Sequence, residues 1–163
     1  VRSRRQRQMC IRDSLKTLPV RFKQSVENAE RLVKFLSQSN EIAEVYYPGN
    51  NPTHLRQAST GGAVIGFRLK DESKAQTFVE SLTLPLVSVS LGGVETILSH
   101  PATMSHAAVP EAIRNKRSIT FGLFRLSVGL EDPEEIIADI NYALKEAFNE
   151  SISEPIAEQR FGS

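Results

Sequence analysis

The chain has 163 residues, of which 40% are apolar and 24% charged, with a formal net charge of +1. That is the composition of one globular domain able to bury a core. No apolar run reaches the length of a membrane span, no apolar stretch follows the basic N-terminus as a secretory signal requires, and the single cysteine, Cys10, forbids an intrachain disulfide and suits a reducing cytosol. No Cys/His grouping has zinc-ligand spacing, so no metal is expected.

Residues 1–14 read VRSRRQRQMCIRDS. This stretch resembles translated sequencing-adapter sequence and is expected to be a non-native segment, disordered or at most continuing the first helix without packing; its apolar content is too low to offset the entropy of ordering it. It holds five arginines and one aspartate, so the rest of the chain is net acidic, 15 basic residues against 18 acidic. The slight basicity belongs to this segment alone. A nucleic-acid-binding arm is the competing reading of such a cluster.

From Lys16 to Gln38, Val26, Ala29, Leu32, Val33 and Leu36 recur at three- and four-residue steps, which predicts a long helix with Pro19 as a kink or an effective start. Ile42–Tyr47 reads as a strand, ended by the turn chemistry of Pro48-Gly49-Asn50-Asn51-Pro52. Ala63–Leu69 is a second strand, approached through Gly61-Gly62. Asp71 or Ser73 caps a helix whose apolar face is Ala75, Phe78, Val79 and Leu82. Leu84–Leu91 is a third strand, Pro110–Lys116 a short helix and Leu123–Val128 a fourth strand. Asp132-Pro133 opens a last helix to Phe148, with Asp as cap, Pro in the first turn and Glu134 and Glu135 favourable to the helix dipole. Strands alternating with helices predict an α/β layer, a small sheet covered by helices.

Three blocks then stand out: Ser90-Leu91-Gly92-Gly93-Val94-Glu95-Thr96, His100-Pro101-Ala102-Thr103-Met104-Ser105-His106-Ala107, and Phe124-Arg125-Leu126-Ser127-Val128-Gly129-Leu130-Glu131-Asp132-Pro133. Their order and spacing resemble the C-terminal domain of the cystathionine-metabolising, pyridoxal-phosphate (PLP) enzymes, over roughly Leu15 to Phe148. The pattern starts at Leu15, where the adapter-like segment ends, with Asp13-Ser14 in place of the family's usual Arg-Gly. The resemblance implies the small C-terminal domain of the aspartate-aminotransferase-like (fold type I) PLP-dependent transferase fold, with a mostly antiparallel sheet of about four strands. It also implies the division 1–14 non-native, 15–150 small domain beginning with the interdomain helix, and 151–163 tail.

Arg125 is the leading candidate for substrate binding. On Leu123–Val128, Phe124, Leu126 and Val128 point one way and Arg125 and Ser127 the other. An arginine on a polar strand face is ordinarily just solvated. A planar, permanently charged fork is also what grips a carboxylate with two parallel hydrogen bonds, and the resemblance gives that role to Arg125. The resemblance assigns Ser90 a supporting hydrogen bond at the substrate carboxylate, places Ser105 near the active site, and makes Val89 a specificity position. Several relatives carry Glu where Val89 stands, and the departure points away from γ-lyase and γ-synthase. His100, His106 and Glu95 read as structural.

None of Lys16, Lys23, Lys34, Lys70, Lys74, Lys116 or Lys145 sits in a Schiff-base lysine motif, and no phosphate-binding glycine loop precedes a helix. The resemblance therefore implies part of a PLP-dependent carbon–sulfur lyase of methionine and cysteine metabolism, with no catalytic residue of its own, the cofactor being held mainly by a preceding domain. Within the family the motifs look most like bacterial cystathionine β-lyases, which convert cystathionine to homocysteine, pyruvate and ammonia. γ-Synthase, γ-lyase and methionine γ-lyase share them. A cytoplasmic homotetramer acting on a thioether amino acid, with no nucleic-acid or membrane partner, goes with that implication. A free-standing, non-catalytic α/β interaction module is the alternative from residue pattern alone.

Overall fold

The computed structural model describes residues 2–148, so the tail expected from residue 151 lies outside the described residues. Helix α1 runs from Arg2 to Gln38. The C-terminal half of α1 buries Val26, Ala29, Leu32, Val33 and Leu36, as their period requires. The half before Val20 has Met9, Ile11, Leu15 and Leu18 exposed. Residues before Leu15 continue the helix from Arg2, with Met9 to Ser14 exposed. Residues 2–18 contain neither Gly nor Pro, and a helix already nucleated by packing extends into such a sequence at little cost. Pro19 lies inside the helix. Around it the Arg21 guanidinium donates to the Ser14 carbonyl at 2.9 Å and to Thr17 Oγ1 at 3.1 Å.

The sheet has five strands: β1 (Ile42–Tyr46), β2 (Val64–Leu69), β3 (Leu86–Val87), β4 (Ile97–Ser99) and β5 (Leu123–Ser127), in the order β1-β2-β5-β4-β3. β1/β2, β2/β5 and β5/β4 are antiparallel; β3/β4 is parallel. The fold class stands, with one strand more than the sequence reading found. β4 escaped that reading because three residues, Ile97-Leu98-Ser99, are too short a run to show alternation. The expected strand 84–91 shrinks to the two residues Leu86 and Val87. Beyond β1, a 3₁₀ turn at Pro48–Asn50 and a one-turn helix α2 (Pro52–Leu55) replace a plain turn, with Asn51 Oδ1 accepting from the Thr53 and His54 amides.

Helices α3 (Ala75–Ser81) and α5 (Pro133–Phe148) pack together, and α1 lies on β1, β2 and α5. Asp71 Oδ1 accepts from Ser73 N–H at 2.9 Å and so caps a 3₁₀ turn (Glu72–Lys74) that leads into α3, α3 itself having no side-chain cap, while Asp132 Oδ1 accepts from Glu134 N–H at 2.9 Å before α5. Between the helices and one face of the sheet sits a single core with Phe67, Phe78 and Phe124 at its centre. Phe67 stacks on Phe124 at 5.5 Å between ring centroids, and Phe78 meets both edge-on. Helix α4 (Glu111–Lys116) buries none of its residues. The other face of the sheet carries Tyr46, Gly66, Arg68, Ser99 and Arg125.

Candidate substrate-binding site

The three sequence blocks converge because β4 and β5 are neighbours. Ser99 is the direct cross-strand partner of Arg125, and Ile97 that of Ser127. One end of the site is tied by a polar knot between the first and third blocks. Glu131 accepts from the Thr96 amide at 2.6 Å and from Thr96 Oγ1 at 2.8 Å, and Gly129 N–H donates to the same Thr96 Oγ1 at 2.9 Å. Asn28 of α1 adds donors to the Gly129 carbonyl at 3.2 Å and the Glu131 carbonyl at 2.9 Å. A Cβ on Gly129 would stand 2.4 Å from the Val94 carbonyl oxygen, so only glycine lets the two segments approach this closely.

The second block is anchored by His100. Its ring lies 4.9 Å from that of Phe124, stacked, with Nε2 2.6 Å from the Phe121 carbonyl and Nδ1 2.9 Å from Thr103 Oγ1. A carbonyl only accepts, so Nε2 carries the proton and Nδ1 accepts from Thr103. Burial lowers the His100 pKa below its ordinary value, Arg114 adds to this, and the bond to Phe121 opposes it. His100 is therefore a neutral core residue, in line with its structural reading.

After β3 the chain stops pairing with a strand and is instead tied down by side chains. Ser88 N–H still reaches the Leu98 carbonyl at 3.0 Å. Its own carbonyl accepts from Ser99 Oγ. Arg125 Nη2 then donates to the Val89 carbonyl at 3.0 Å, to the Ser90 carbonyl at 2.9 Å and to Ser99 Oγ at 2.8 Å. Two residues on, Gly92 N–H donates to Ser127 Oγ at 2.8 Å, with Gly92 at φ +73°, which glycine adopts without strain. Ser99, Arg125 and Ser127 thus hold residues 88–92 against the outer face of the sheet. This is why the strand expected over 84–91 ends at Val87, and why Val87, Val89 and Leu91 are exposed instead of forming a packed face.

The structure brings Arg125, Ser90 and Val89 together. Ser90 meets Arg125 through its carbonyl, and its side chain is exposed. The Val89 side chain is 62% exposed beside it. Ser105 is not hydrogen-bonded to any of them; its hydroxyl lies 2.9 Å from His106 Nδ1 on the surface. Ser99 went unnoticed in the sequence. The signal that points to it is its place opposite Arg125, which needs β4 to be recognised first. All three arginine contacts fall on one nitrogen, Nη2, and Nε is buried with no hydrogen-bond partner among the described residues. A cleft of about 420 Å³ lies against Arg125, lined also by Tyr46, Gly66, Arg68, Arg117 and Ser118.

Residues 5–145 match the model of the Cys/Met metabolism PLP-dependent enzymes. The chain belongs to this family. It is 79% identical over 149 residues to cystathionine beta-lyase MetC of Staphylococcus haemolyticus (strain JCSC1435), covering 91% of this chain and 38% of that one. It is 47% identical over 137 residues to cystathionine beta-lyase MetC of Bacillus subtilis (strain 168), covering 81% and 35%. Among solved structures, cystathionine gamma-lyase from Lactobacillus plantarum complexed with L-serine superposes with a TM-score of 0.78 at 34% identity, covering 83% of this chain and 37% of that one. The chain thus spans little more than a third of the length of these relatives.

The residues of this family member do not by themselves make a cofactor site. Six of its seven lysines are exposed, Lys74 is half-buried, and none lines the Arg125 cleft. A Schiff-base lysine needs the reverse, a sheltered amine beside the substrate. Among the described residues no group of His, Cys, Asp and Glu has the geometry to hold a metal ion, and no helix is long and apolar enough to cross a membrane.

Proposed function

We propose that the chain is the substrate-orienting small domain of a PLP-dependent cystathionine β-lyase. Such an enzyme cleaves cystathionine by β-elimination to homocysteine, pyruvate and ammonia. The observation that carries this reading is Arg125, whose fork is tethered by one nitrogen between Ser99 and the 88–92 loop and lies against the cleft. In the proposed enzyme that fork takes the substrate α-carboxylate and fixes which bond at Cα faces the reactive centre. PLP, bound outside this domain, supplies the electron sink. Ser90 holds the loop beside the carboxylate, Val89 offers its exposed side chain to the distal part of the substrate, and Ser105 stands at the edge of the site. Residues 15–150 make up the small domain, joined through α1 to the remainder of the enzyme, and residues before Leu15 are an unpacked, non-native extension. A cytoplasmic homotetramer is the assembly we expect.

The 79% identity to a β-lyase favours this substrate and bond over those of the γ-cleaving relatives. The test is a chimera in which residues 15–148 replace the matching part of the Staphylococcus haemolyticus enzyme. With PLP bound, it is expected to release homocysteine and pyruvate from cystathionine. Release of cysteine and 2-oxobutyrate would mean γ-cleavage, and a folded, PLP-loaded chimera without lyase activity would sink the reading.

A further inference from the structure

We propose that Ser99 is a positioning residue that sets the direction of the Arg125 fork; the inference rests on the carboxylate-gripping role of Arg125. Ser99 is buried, on β4, directly across the ladder from Arg125. A serine hydroxyl has one proton to give, and a guanidinium only donates. Arg125 Nη2, 2.8 Å from Ser99 Oγ, must therefore be the donor, and the Ser99 proton must go to the Ser88 carbonyl. One hydroxyl thus joins two things that have to agree: where the 88–92 loop leaves β3, and where Nη2 of Arg125 points. With Nη2 held by Ser99 and by the Val89 and Ser90 carbonyls, the guanidinium is tethered at that one end, and its Nε is buried with no hydrogen-bond partner among the described residues. A neighbouring serine, Ser127, holds the far end of the same loop at Gly92 and does not touch Arg125. The direction of the fork is thus assigned to Ser99 alone of the two.

Ser99→Ala removes both bonds at once and leaves Nη2 to the Val89 and Ser90 carbonyls alone. In the chimera described above, KM for cystathionine is expected to rise about tenfold, the lower range for a charge-assisted hydrogen bond because two carbonyls still hold Nη2. The kcat is expected to stay within about threefold. Ser99→Thr keeps the hydroxyl and restores KM. In an Arg125→Lys background, Ser99→Ala is expected to add nothing, since it acts only through that guanidinium. A separate readout uses this chain alone: NMR of the Arg125 side chain is expected to show slower guanidinium rotation in the unsubstituted chain and in Ser99→Thr than in Ser99→Ala. If Ser99→Ala does not fold, the near-isosteric Ser99→Cys, a much weaker hydrogen-bonding group, takes its place with the same expectations. An unchanged KM, a full additional loss in the Arg125→Lys background, or guanidinium rotation no faster in Ser99→Ala than in the unsubstituted chain would each overturn the proposal. An inactive parent chimera would instead count against the β-lyase reading, and the guanidinium measurement would still decide the role of Ser99.

Discussion

The two faces of the sheet are built from the same strands and hold together by different means. On β5, Phe124 and Leu126 have no exposed surface and pack among Phe67, Phe78 and Leu98. Arg125, between them in sequence, and Ser127 face the other way, where their contacts are hydrogen bonds to a loop. Period-two alternation thus separates two tasks within five residues. The inner face supplies apolar burial, which stabilises the fold whatever the exact partner. The outer face supplies direction, which is worth little to stability and matters only if something has to be held there. The difference teaches where to look for function in a small sheet: at polar side chains whose bonds are specific in geometry but contribute little to the core.

Substitutions on each face test the division. Phe124→Ala empties the centre of the aromatic cluster and removes the surface on which His100 stacks, so it is expected to cost about 3–5 kcal/mol. Chemical denaturation checks this; a loss under about 1 kcal/mol would mean that the inner face does not carry the fold. Glu131→Ala strips the Thr96 amide and hydroxyl of their acceptor and is expected to cost about 2 kcal/mol, with Glu131→Gln losing less. The His100 contribution depends on pH. Its folded pKa is lowered below 6.5, so the unfolded chain takes up the proton first as pH falls. The stability from neutral His100 is fully present above that value and is lost as pH drops from 6.5 toward the lowered folded pKa. His100→Gln should flatten this part of the stability profile. The smallest effect is expected for deletion of residues 2–14, within about 0.5 kcal/mol, because Met9 to Ser14 lie exposed along a helix that packs only farther on. A drop of several degrees in Tm on deletion would show that this segment packs after all.

Most of the inner face was legible in the sequence because burial leaves a period. The helical steps of Val26 to Leu36 and the alternation of Phe124, Leu126 and Val128 both fall where the core sits. The caps Asp71 and Asp132 were legible for a local reason, a carboxylate two residues before the amide it accepts from. Arg125 and Ser90 were reached through the resemblance, since an arginine on a strand's polar face looks the same whether or not it binds anything. Two features had no sequence signal of their own. β4 is three residues long, too short to show a period, and without it Ser99 has no visible relation to Arg125. The loop from Ser88 to Gly92 alternates like a strand, Val-Ser-Val-Ser-Leu, yet its backbone is satisfied by side chains of β4 and β5, which pattern in one segment cannot reveal. Ser105 falls in the recognised block, but its hydroxyl pairs only with His106 at the surface.

On the proposed reading, the outer face holds Arg125 for a substrate carboxylate. Arg125→Lys in the PLP-loaded chimera tests it most directly, because lysine keeps the charge and loses the planar fork. Losing a charge-assisted pair of this kind costs about 2–4 kcal/mol, so kcat/KM for cystathionine should fall roughly thirty- to thousandfold. Most of the fall should appear in KM, with bound PLP retained. A kcat/KM within about threefold of the parent chimera would contradict the claim and leave Arg125 as a tether for the 88–92 loop.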